Sequence, residues 1–104
     1  MDANPDPSIA CALDPSDLAA RRADLLPGLF SRAESVSQIP GGYEAVFPAA
    51  PDTLRAITEV IDAERQCCRF LTFTVTVPAE GGDIVVAVTG PKGTQDFLGD
   101  LLAL

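Results

Sequence analysis

Apolar and polar positions change period several times along this chain, and each change marks an element. Leu71, Phe73, Val75 and Val77 alternate with Thr72, Thr74 and Thr76. That period of two predicts an antiparallel strand with one wet face. Glu80-Gly81-Gly82-Asp83 reads as a turn, and Ile84 to Thr89 returns beside it. A first hairpin is predicted upstream, with arms from Ala33 to Ile39 and Gly42 to Phe47 around Pro40-Gly41. Between the hairpins the period lengthens. Leu54, Ile57, Val60 and Ile61 fall on one side of a wheel turning about 100° per residue. This predicts a helix through DTLRAITEVIDAERQCC, entered past Pro48 and Pro51. A last helix, opened near Pro91 or Thr94, points Phe97, Leu98, Leu101 and Leu102 inward. Near the start, Asp14-Pro15-Ser16-Asp17 signals a helix carrying Leu18, Arg21, Arg22, Leu25 and Leu26. Pro27-Gly28 should kink or end it, with the pattern resuming through Leu29-Phe30.

The element order is α-ββ-α-ββ-α. Two hairpins with one apolar face each close most naturally as a four-stranded antiparallel sheet covered by helices, an α+β fold. Residues 1–8, with two prolines and one large apolar residue, read as a disordered lead, leaving 9–104 as a single domain.

Composition narrows the function classes. The net charge of -8 offers no basic stripe to phosphates, which argues against nucleic acid and an anionic membrane surface. The acidic, Pro-rich start lacks the basic and apolar regions of a signal peptide, and no apolar run approaches a membrane span. The expected compartment is the cytoplasm, where thiols stay reduced. The chain contains no histidine, which removes Ser-His-Asp and Cys-His catalysis and imidazole metal sites.

What remains for dedicated chemistry is cysteine. Cys68 falls on the apolar face of the second helix and Cys67 at its border. Neighbouring helical residues point about 100° apart, so both cannot fill one core, and one should stand near the rim. A helix C-terminus raises a thiol pKa, whereas Arg65 and Arg69, which bracket the pair, push the other way. Glu64 lies close to the middle of the same apolar stripe. A glutamate there reaches a partner or belongs to a site. Arg21, Arg22 or a bound cation are the candidates, and a structural ion pair or a snorkelling edge residue is the plainer reading.

Cys11, in the run IACAL, is core packing by default. If it lies beside the end of the second helix, three sulfurs converge with Glu64 as an oxygen donor. Thiolates without imidazole suit soft ions such as Cu(I), Hg(II), Cd(II), Zn(II) or As(III). Zinc would need Glu64 or water as fourth ligand. The stretch Thr89-Gly90-Pro91-Lys92-Gly93-Thr94 faintly suggests a phosphate loop, but it lacks the Gly-Lys-Ser/Thr ending and reads better as a turn and helix cap.

The stretch Glu64 to Val75 resembles the signature of a family of small, mostly actinobacterial uncharacterised proteins: C-x-L near the start, then E-x-x-C-C-x-F-x-x-F before an alternating strand. Cys11, Ala12 and Leu13 match the first element, and Glu64, Cys67, Cys68, Phe70 and Phe73 match the second. The element order matches as well, so the resemblance spans most of the chain. It implies that Cys11, Glu64, Cys67 and Cys68 act together. It also implies an association with metal-responsive regulators of the mercury-resistance type, and hence thiophilic-metal handling. Arg69 departs from the smaller or apolar residue that many relatives carry, which leaves open whether the mouth of the site has the same charge as theirs.

Three functions follow. The first is a soft-metal binding or sequestering protein, a binder rather than an enzyme, with Cys11, Cys67 and Cys68 as ligands. Glu64 would be a fourth donor or orienting group, and Arg65 and Arg69 would act from outside the ligand set. The second is thiol redox or transfer chemistry, including organomercurial cleavage with Glu64 as the acid. The third is an interaction module with structural cysteines, for which an apolar hairpin edge could support a homodimer.

Overall fold

The computed structural model describes residues 25–104. The expectations for the lead, for Cys11 and for the helix from Asp14 lie outside the described residues. The chain runs α1 (Leu26–Phe30), β1 (Ser35–Ile39), β2 (Gly42–Phe47), α2 (Thr53–Cys67), β3 (Thr72–Thr76), β4 (Ile84–Thr89) and α3 (Thr94–Leu102). A short 3-10 turn, Ala79–Gly81, joins β3 to β4. This is the α-ββ-α-ββ-α order of an α+β fold. Pro27 sits in the first turn of α1, where its missing N–H costs nothing, and the helix runs on through Leu29-Phe30.

The four strands form one antiparallel sheet in the order β1-β2-β4-β3. The hairpins meet through β2 and β4, which puts the most apolar strands in the centre. Ala45, Phe47, Ile84, Val86 and Val88 are buried on the helix side, joined by the half-buried Tyr43, Phe73 and Val75 of the same face. Thr72, Thr74 and Thr76 are exposed on the other face, as the alternation requires. Val77 was expected inward but is 55% exposed, because pairing with β4 ends at Thr76↔Val85 on this edge strand.

The first hairpin closes tightly. Ile39 pairs with Gly42, so Pro40-Gly41 alone makes the turn, and Gly41 takes φ 81°. Proline followed by a positive-φ glycine is type II turn chemistry. Gly42 then runs against β4 so closely that any Cβ would collide with the Val88 carbonyl. Helix α3 holds this corner: Gln95 Nε2 donates to the Ile39 carbonyl at 2.7 Å and to the Gly42 carbonyl at 3.2 Å. Helix α1 packs on both α2 and α3, and Leu26, Leu29, Phe30, Ile57 and Leu98 complete the core. At the opposite end of the sheet, Glu34 and Asp83 meet side by side. Their shared hydrogen bond, and then the Asp83 charge, hold the Glu34 carboxyl above its ordinary pKa.

Candidate functional site

Helix α2 delivers the candidate residues to one place because its buried stripe repeats every three to four residues. The stripe consists of Thr53, Ile57, Glu64 and Cys68, with Val60 and Ile61 half-buried beside it. Leu54, expected on the stripe, is 40% exposed. Thr53 takes the inward position of the first turn instead, where its i+4 neighbour Ile57 lies directly below.

Glu64 and Cys68 are each only 1% exposed, one helical turn apart. Glu64 is the one buried ionisable carboxylate among the described residues, in a stripe otherwise made of apolar groups and Thr53. The two residues are also tied through the backbone. The Cys68 N–H donates to the Glu64 carbonyl at 2.6 Å, which closes the last turn of the helix. At Cys68 the backbone leaves helical geometry (φ -113°, ψ 81°), and the Leu71 N–H then donates back to the Cys68 carbonyl at 3.2 Å. The chain thereby reverses into β3. Leu71 is buried under the turn, and Phe70 packs edge-on to Phe97 of α3, ring centres 5.3 Å apart. The aromatic residue two places after Cys68 thus anchors this corner to α3.

Cys68 is disulfide-bonded. A free thiol was the expectation for this position; the structure holds it oxidised. The sulfur it joins lies outside the described side chains, as do Cys11 and the Cys67 side chain. Arg21 and Arg22, the proposed partners of Glu64, also lie outside the described residues. Among the described residues, no three cysteine, aspartate or glutamate side chains converge on a point that could hold a metal ion.

Arg65 and Arg69 are exposed and line an open groove with Asp62 and Gln66, about 460 Å³ in volume, along the outer side of the same helix end. These are two of the chain's seven cationic side chains, in a molecule of net charge -8. They place local positive charge where the cysteine pair leaves the helix. Family models, curated proteins and solved structures give no match to this chain. The site therefore has to be read from its own chemistry.

The stretch Thr89–Thr94 is a turn and helix start. Gly93 caps α3 at φ 99°, and the Thr94 N–H donates to the Pro91 carbonyl at 3.0 Å. Thr94 was not anticipated as a core residue. It is fully buried, and among the described residues its hydroxyl has no hydrogen-bond partner. Gly90 leaves room for it, since a Cβ there would strike the Thr94 hydroxyl. Nothing in the residue pattern signals this, because a threonine opening a helix ordinarily faces water. Two of the exposed large apolar residues, Leu54 and Val77, lie together instead. With Ala49, Ala50, Pro51 and Ile84 they line a shallow depression of about 580 Å³ at the N-terminal end of α2. No helix among the described residues is long and apolar enough to cross a membrane.

Proposed function

We propose that the reduced protein binds a thiophilic metal ion through cysteine thiolates at the C-terminal end of α2, and that Glu64 supplies an oxygen donor or orients the ligands. The observation that supports this most is the joint burial of Glu64 and Cys68, a turn apart on one face. A carboxylate is costly to desolvate in an apolar stripe, and a hard donor beside a soft one is a useful combination for a cation. Cys67 and Cys11 are the further ligands, and Arg65 and Arg69 stabilise the thiolate forms from the rim. The ion is Hg(II), Cu(I), Cd(II) or Zn(II), bound for storage or transfer rather than for catalysis.

The test is a Cd(II) titration of protein whose thiols have been counted as reduced. Binding should release protons, raise the melting temperature and give thiolate-to-cadmium absorption in the ultraviolet. Reduced protein that shows none of these would rule the reading out.

A second reading, thiol redox chemistry, is favoured by one specific observation, the disulfide at Cys68. Its signature would be faster alkylation of a reduced cysteine at neutral pH than a free cysteine shows, without any metal. Reaction no faster than free cysteine would count against it.

A further inference from the structure

We infer that the outer edge of β3 is a self-association surface, where a second copy of this chain adds its own β3 antiparallel and the two sheets become one. Among the described residues, β3 ends the sheet order β1-β2-β4-β3, with nothing paired to its outer side. A strand in that position presents N–H and C=O groups that another strand can take up. Proteins blunt such edges with charge, proline or a bulge. β3 has none of these. Thr72–Thr76 is uncharged and free of proline, and its pairing with β4 runs unbroken from Thr72↔Thr89 to Thr76↔Val85. The other edge differs: β1 exposes Ser35, Ser37 and Gln38 and is flanked by Glu34 and Pro40.

The helix side of this edge is incompletely covered. Phe73 and Val75 are only half-buried, whereas Val88 and Val86, their partners on β4, are 0% exposed. Val77, just past the strand, is more exposed still. Two antiparallel copies aligned over the whole strand put Thr74 opposite Thr74, Phe73 opposite Val75 and Thr72 opposite Thr76. Side chains alternate along both strands, so apolar residues meet on the helix side and threonines on the wet side. Aromatic with β-branched and threonine with threonine are favourable cross-strand pairs. Val77 meets the Leu71 end of the second copy.

Charge selects a second copy as the occupant. Two molecules of net charge -8 repel across most of their surfaces. The stretch from Phe70 to Ala79 contains no charged residue. Arg69 stands just before it and Glu80 just after it, both exposed. Antiparallel pairing brings the Arg69 end of each strand beside the Glu80 end of the other. A two-fold axis makes these two contacts equivalent, so the edge is complementary to itself. Opposite charges at both ends also fix the alignment, because a slip along the strands separates both pairs.

The experiment is sedimentation velocity of the full chain from about 5 to about 500 µM, with amide exchange of β3 followed at both ends of that range. The edge predicts a reversible monomer–dimer equilibrium, and slower exchange of β3 amides at the higher concentration. Thr74→Lys sets two ammonium groups opposite each other while making the net charge less negative. Thr74 is exposed, so circular dichroism should show the fold retained. This variant should raise the dimer dissociation constant at least about tenfold. Arg69→Glu should weaken the dimer as well, and adding Glu80→Arg should restore it. A chain monomeric throughout, with β3 amides slow at every concentration, would assign the edge to another segment of the same chain and overturn the inference. A monomer with fast β3 exchange would overturn it too. A dimer indifferent to Thr74→Lys, one that the double charge exchange fails to restore, or one that separates only on reduction of an intermolecular disulfide would place the contact elsewhere and contradict the edge.

Discussion

At the scale of single residues, burial and close approach decide the consequences. Glu64 is 1% exposed on a face shared with Ile57 and Cys68. Glu64→Gln keeps the shape and removes the charge. It should leave the fold intact and weaken Cd(II) binding by roughly tenfold, the loss of one charge-assisted ligand contact. Unchanged affinity would restrict Glu64 to a structural role. Gly42 makes the sharpest steric prediction. An added methyl meets the Val88 carbonyl across the β2–β4 pairing, so Gly42→Ala should cost about 3 kcal/mol by denaturant unfolding, the upper end of overpacking effects. Glu34 predicts a pH dependence. Its folded-state pKa lies above the unfolded value, so the folded protein holds more protons in that window. The pair with Asp83 is favourable below the unfolded value and becomes repulsive as pH rises through the folded one. Glu34→Gln should therefore raise the melting temperature slightly at pH 7 and have no such effect near pH 4.

At the scale of elements, periodicity was the most legible signal. The bounds of β2 and β4 follow directly from alternation ending at turn residues, and α2 from the spacing of Ile57, Val60 and Ile61. What the pattern could not supply was neighbourhood. Alternation says which face of a strand is wet, not which strand lies beside it, so the order β1-β2-β4-β3 was not legible. The same gap explains Leu54 and Val77. Both keep an apolar period, yet each lies just where its element meets solvent. Gln95 was also invisible to the pattern, being one polar residue on an amphipathic helix. Its amide fixes α3 to the first hairpin by two carbonyls. Gln95→Ala should cost about 1–2 kcal/mol, with amide exchange rising first around Pro40-Gly41. A loss confined to the C-terminus of α3 would contradict that assignment.

Across the whole molecule, the candidate site sits where three signals coincide: the end of α2, the buried Glu64–Cys68 stripe, and the only two arginines of that helix end, on its outer side. The stripe was legible because a glutamate and a cysteine replaced apolar residues at helical spacing. The oxidation of Cys68 was not, because the expected cytoplasmic compartment pointed to free thiols. Chemistry distant in sequence, such as a sulfur pairing, leaves no local period to read. The central claim, as proposed above, is that the reduced protein binds a soft metal ion with Cys68 and Glu64 among the groups that hold it. Its most direct measurement is the melting temperature of the reduced protein and of Cys68→Ser, with and without Cd(II) under anaerobic conditions. The account predicts a clear upward shift for the reduced protein and little or none for Cys68→Ser. The same shift in both proteins, or none in the fully reduced one, would contradict it.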